Sequence, residues 1–217
     1  MGLVHVLIGS MGRMAGAGLA ALGLMLVPAP AQAQAPTPAP TGEPLGSTQI
    51  AIERWYIPDE PIPADFEDNP LAYHPSVMYQ RSLEAYETGD GPSAGYWMYY
   101  GQLRYRIRIT CFSLNAFARE RELFVASDED IGRLANVWIG GDLQLWIDTL
   151  SQVAADYEGQ PDPYIESPRC DDARTQSMAG MLDLRSVIAG DVDGFRSRRA
   201  SNGLENRTTG PVTVPEG

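Results

Sequence analysis

The sequence predicts an all-α fold, a small irregular bundle of about five helices assembled partly from helical hairpins. Two observations predict it. Apolar residues recur at helical spacing in two long stretches: Tyr96, Tyr100, Leu103, Ile107 and Cys111 in one, and Leu143, Trp146, Ile147, Leu150, Ala154 and Tyr157 in the other. Two short breaks, GDGP at 89–92 and GGD at 140–142, each join a glycine that stops one helix to an aspartate that can start the next.

Taken in order, Ile50–Tyr56 is short and apolar-leaning, a strand or a first helical turn. Pro58, Pro61, Pro63 and Pro70 then keep the chain irregular to about Pro75, with Trp55 and Phe66 as expected anchors on the body of the domain. Ser76–Glu87 forms the first helix, buried along Met78, Tyr79, Leu83 and Tyr86 and stopped by Gly89. The second begins near Pro92 and runs to Cys111, with Gly101 as a notch for a neighbouring helix. A third spans Asn115–Val125 with Phe117, Arg121 and Phe124. Ser127 and Asp130 resemble a capping box that starts a further helix through Ile131, Leu134 and Trp138. Asp142 caps the helix carrying the second apolar stretch. Gly159–Cys170 is a proline-containing loop. Asp171 or Asp172 caps a helix over about 173–189, buried through Met178, Met181, Leu182 and Ile188, and Gly190 and Gly194 bracket a turn.

One stretch supports a different fold. Leu103–Cys111, LRYRIRITC, alternates apolar and polar residues with β-branched content, so the alternative is α+β with a strand at 103–111. The apolar spacing enters this stretch from upstream without a turn residue, which favours one continuous helix. The segment LEAYETGDGPSAGYWMYYGQ is similar to half of a tetratricopeptide-type short helical repeat. No second copy follows at the period of such repeats, and no residue roles carry over from the resemblance.

The termini differ from this body. Residues 1–35 carry one charged side chain, Arg13, then an apolar run at Ala15–Pro28 and small residues placed for cleavage after Ala33 or Ala35. This pattern predicts a secretory signal peptide and a periplasmic or secreted protein. The alternative is an uncleaved anchor, although the apolar run falls short of the roughly 20 residues a span needs. Residues 36–48 form a Pro/Ala/Thr-rich flexible linker, 49–200 the globular domain, and 201–217 a polar tail expected to be disordered. Export permits a disulfide between the two cysteines, Cys111 and Cys170, closing a loop of about 60 residues.

The charge balance narrows the partners. The chain holds 16 basic residues, all arginine, against 28 acidic ones, for a net charge of −12. Such a surface repels nucleic acid and anionic lipid, so neither nucleic-acid binding nor membrane insertion of the mature chain is expected. The catalytic signatures are missing. Only two histidines are present, HExxH and GxSxG are absent, and GDGPSAG lacks the lysine of a phosphate loop. His74, beside Tyr73 and Pro75, reads as a turn residue. DVDG at 191–194 lacks the further oxygen ligands of a calcium loop, and SDED at 127–130 reads as an acidic helix start. No catalytic residue, metal ligand or cofactor is assigned.

Two function classes remain. The first is a non-enzymatic extracytoplasmic interaction or envelope-assembly module, with an envelope protein as partner. Its docking patch would use Arg104, Arg108 and Gln102 to hold an anion or carboxylate, with Tyr99 and Trp97 at its edge. The blander role for the arginines is ion pairing within the protein. The second class is a small cell-wall or glycan hydrolase using paired carboxylates such as Glu84 and Glu87 or Asp128 and Glu129. A buried acid in a cleft beside Trp97 or Trp146 would mark that chemistry.

Overall fold

The computed structural model describes residues 61–112, 118–165 and 168–215. The expected signal peptide, linker, Ile50–Tyr56 element and Trp55 anchor lie outside the described residues, as does Phe117. The helices are α1 (Pro75–Glu87), α2 (Gly91–Cys111), α3 (Ala118–Ser127), α4 (Arg133–Ile139), α5 (Leu143–Tyr157), α6 (Asp171–Gly190) and α7 (Val192–Ser201). No strand occurs among the described residues, so the all-α reading holds and the α+β alternative does not.

α2 is the central element, packed against α1, α3, α4, α5 and α6. Its position explains the misleading alternation of LRYRIRITC. A helix surrounded on nearly every side has no single apolar stripe. Leu103, Tyr105 and Ile107 are each fully buried against different neighbours, and Arg104 between them is fully buried too.

The two hairpins form as the breaks predict. α1 ends with Asp90 N–H donating to Ala85 O at 2.8 Å and Gly89 N–H to Tyr86 O at 3.1 Å, the paired bonds of a Schellman motif. Gly89 supplies the left-handed backbone this needs, with φ +85°. Asp90 then caps α2, accepting from Ser93 N–H at 3.2 Å. The two helices lie close because Gly101 has no side chain. A Cβ there would stand 3.0 Å from the Tyr79 ring and 3.1 Å from Met78 Cβ. In the second hairpin Asp142 caps α5 by accepting from Leu145 N–H at 3.1 Å. All six residues of the expected α5 face are buried.

Gly91 makes a further close contact, because a Cβ built on it falls inside the Trp138 indole. Gly91→Ala therefore loses about 1–3 kcal/mol from forced repacking. Helix propensity alone predicts a gain of up to about 1 kcal/mol. Urea unfolding of the two proteins decides between the signs.

Several expectations need correction. No helix starts at Ser127; α3 continues through a π-helical turn at Asp128–Gly132 into α4, so the pair is one interrupted rod. Ser127 has helical backbone (φ −60°, ψ −41°) and makes no cap. Its neighbour Asp128 is held by the core, accepting from Gln102 Nε2 at 2.6 Å and Tyr79 Oη at 3.3 Å. The SDED run is therefore mid-rod. α6 starts at Asp171, with both aspartates inside its first turn and Cys170 at the cap position. Its buried stripe runs Ala173, Ser177, Gly180, Met181, Leu184 and Ile188, leaving Met178 and Leu182 half-buried. Small residues hold three of the six buried positions of α6, which an aliphatic pattern does not reveal.

Gly194 lies within α7, after a break at Asp191. The polar tail contacts the domain. Arg207 N–H donates to Gly141 O at 2.7 Å, Thr208 Oγ1 to Asp142 Oδ1 at 3.1 Å, and Thr213 N–H to Gln144 Oε1 at 2.7 Å. Residues 207–213 thus lie as a strap over the α4–α5 turn, with Arg207 stacked 3.8 Å from the Trp138 ring centroid.

Candidate functional site

The polar residues of α2 fall at every second position, 102, 104, 106 and 108. On a helix such residues point in different directions, and the structure gives each a different environment.

Arg104 is fully buried, as is its partner Asp162. Nε and Nη2 donate to the two carboxylate oxygens, each at 2.8 Å. Nη1 donates to Tyr73 O at 2.7 Å and Pro70 O at 3.3 Å, and Nη2 to Leu71 O at 3.1 Å. All five guanidinium N–H groups are therefore used. Asp162 also accepts from Tyr157 Oη at 3.3 Å and Tyr164 N–H at 3.0 Å. The pair ties two irregular segments, 70–73 and 162–164, to the central helix.

Arg108 is 8% exposed; it donates to Tyr164 O at 2.9 Å and stands 3.5 Å from Glu120 Oε2. Both arginines lie over the Tyr164 ring, at 5.5 and 5.3 Å from its centroid. The expected docking patch is not a surface, because its arginines point into the protein. Its other members are buried as well. Gln102 is held by Asp128, Tyr99 lies between Trp146 Nε1 at 2.6 Å and Asn136, and Trp97 packs on Phe66 at 4.8 Å between ring centroids. Burial pushes the Tyr99 and Tyr105 hydroxyls well above the ordinary phenol range, and pushes Tyr100 up to about 12 against the pull of Arg104.

His74 sits beside this cluster with Ser76 and Glu120, a trio that invites comparison with a catalytic triad. Nδ1 accepts from Ser76 N–H at 3.2 Å and stands 2.8 Å from Ser76 Oγ. Nε2 is then the protonated nitrogen, donating to Glu120 at 3.0 Å. Yet Ser76 is only 6% exposed. The N–H groups that could stabilise an oxyanion are occupied, Ser76 by His74 Nδ1 and Val77 by His74 O. His74 is the cap of α1, and Glu120 anchors α3 to it.

That anchor is sensitive to acid. Partial burial raises the Glu120 pKa, but His74 and Arg108 outweigh it, and the net shift is below the ordinary value of 4.5. A depressed acid stabilises the fold above its unfolded pKa and loses this contribution as pH falls through the folded one. Glu120→Gln is accordingly less stable than the native protein at pH 7, and the gap closes as the pH is taken below 4.5. Urea midpoints across that range measure it, and a gap independent of pH contradicts it.

The other predicted acids stand apart. Glu84, Glu87 and Glu129 are exposed, and Asp128 is tied to Gln102. The buried acid, Asp162, faces Arg104 and Tyr157 rather than Trp97 or Trp146. No group of three or more His, Cys, Asp or Glu is placed to hold a metal among the described residues. No described helix is long and apolar enough to cross a membrane.

Cys111, the last residue of α2, pairs with Cys170 at the end of a 3-10 turn, with Cα atoms 4.9 Å apart. The pairing is the one expected, between the end of the second helix and the start of α6. Sequence reasoning missed Asp162 and Glu120. Asp162 lies between two prolines in QPDPY, where nothing but its charge distinguishes it from a solvated loop residue.

A narrow cleft lies between α2, α5 and α6, lined on the α2 side by Tyr99, Gln102, Leu103 and Arg106. No protein family, curated protein or solved structure matches this chain.

Proposed function

We propose that the chain is an exported, non-enzymatic helical interaction module, periplasmic or secreted, that docks on an envelope protein or takes part in envelope assembly. The observation that carries this reading is the Cys111–Cys170 pair, a cross-link suited to an oxidising compartment. The signal-like residues 1–35 support the same compartment. The polar groups of α2 support a packing role, since Arg104, Arg108 and Gln102 are engaged in holding loops and helices to the core.

The test has two parts. Non-reducing mass mapping of the protein recovered from the periplasm and medium should find Cys111 joined to Cys170. The tagged chain should then capture a defined envelope protein that excess untagged chain displaces. Cytoplasmic retention with both thiols free defeats the reading. Turnover of wall fragments without a displaceable partner replaces it with the hydrolase.

A further inference from the structure

The C-terminal strap is held by the domain chiefly through its main chain. Arg199 Nη2 in α7 donates to Glu205 O at 2.8 Å, and Arg196 Nη2 in the same helix to Gly210 O at 2.5 Å. Gly141 O accepts from Arg207 N–H at 2.7 Å and from Thr208 N–H at 3.3 Å. The Gln144 side chain takes both main-chain groups of Thr213, accepting from its N–H at 2.7 Å and donating to its carbonyl at 3.0 Å. A track of such donors and acceptors, laid along the α4–α5 turn and α7, takes a linear segment with little regard to most of its side chains.

One position is selective. Arg207 stacks on Trp138 and donates to Trp138 O at 2.5 Å, where the Asp142 carboxylate favours its charge. The indole face and the carbonyl together suit a planar, charged donor, which is arginine. The hold on the segment is shallow. None of residues 202–215 is buried, and Leu204 and Val212 are only half-buried. A stretch fixed by exposed hydrogen bonds, with few buried apolar contacts, opens locally without unfolding the domain.

We propose that this track is a docking site for a linear, arginine-bearing segment of a partner protein, and that the chain's own residues 205–213 occupy it until displaced. The resident segment shows what chemistry the track accepts, and the net charge of −12 attracts a cationic segment. A tethered tail competes at an effective concentration on the order of millimolar, so weak ligands are screened out. This deepens the docking reading above, on which the partner rests but the track does not.

The probe is a synthetic peptide of residues 204–217, added to the isotope-labelled, oxidised full chain and read by NMR at the Trp138 indole N–H and the Gln144 side-chain amide. In a full chain carrying Arg207→Ala and Thr213→Pro, which loosen the tethered strap, saturable shifts of both signals are expected. The native chain should bind the peptide at least about tenfold more weakly, because its own tail competes. A peptide with Arg207→Ala should lose about tenfold against the loosened chain. Hydrogen exchange on the native chain needs no variant. The Arg207 and Thr213 amides should exchange well before those of α5, such as Leu150. Exchange of all of them together would make the strap part of the cooperative fold and overturn the proposal. So would no shift in the loosened chain, equal binding by native and loosened chains, or indifference to the peptide's arginine. Concentration-dependent dimers of the native chain that Arg207→Ala abolishes would assign the track to a second copy instead of a partner. Peptide binding as expected without capture of an envelope protein keeps the track and defeats the envelope reading. Capture of an envelope protein that excess peptide does not displace from the loosened chain keeps that reading and overturns the track.

Discussion

Asp162→Ala destabilises the domain by about 3–5 kcal/mol, the usual cost of leaving one member of a buried ion pair without its partner. Arg104 has no route to water in its observed position, since neither side chain of the pair is exposed. Losing the carboxylate leaves a buried guanidinium with only the Tyr73, Pro70 and Leu71 carbonyls. A loss of this size is a large share of the 5–15 kcal/mol typical of a whole domain. Urea unfolding followed by circular dichroism measures it. The paired replacement Arg104→Met with Asp162→Leu should recover most of the loss, because it removes both charges and their desolvation together. Equal losses in the single and paired variants would show that the charge itself is not what the fold requires.

Replacing Cys111 and Cys170 with alanine costs roughly 4 kcal/mol on the chain-entropy estimate for a loop of about 60 residues. At about 2–4 °C per kcal/mol for a chain of this size, the melting temperature falls by about 8–16 °C. Reduction of the native protein should reproduce the shift. The two largest effects are also expected to interact. The closed loop contains Asp162, so the disulfide restricts the segment that brings this acid to Arg104. A double-mutant cycle between Asp162→Ala and the cysteine pair should depart from additivity by at least about 0.5 kcal/mol. Additive losses would show that the loop holds Asp162 in place by its own contacts.

Much of the fold was legible because its signals are local. Gly89 and Asp90 stop one helix and start the next within a few residues, and Asp142 acts on the N–H three positions on. The α5 stripe is plain because that helix is buried along one face and has exposed positions opposite. Leu103–Cys111 was ambiguous because α2 is buried nearly all round, which removes the periodic contrast that separates helix from strand.

The candidate site was less legible for a different reason. The role of Arg104 depends on an aspartate 58 positions away, and local spacing carries no information about such a partner. The same limit hid Glu120, 46 positions from His74. Ser127 offered a plausible cap signal, but its burial within a continuous rod overrode it.

The five-donor embrace of Arg104 bears on how this chain diverges over generations. A substitution at position 104 or at position 162 alone leaves an intermediate that folds poorly, so lineages seldom pass through it. Descendants should inherit the arginine and the aspartate together or have exchanged both for apolar residues, and this correlated pair offers a way to recognise distant kin whose remaining residues have drifted apart.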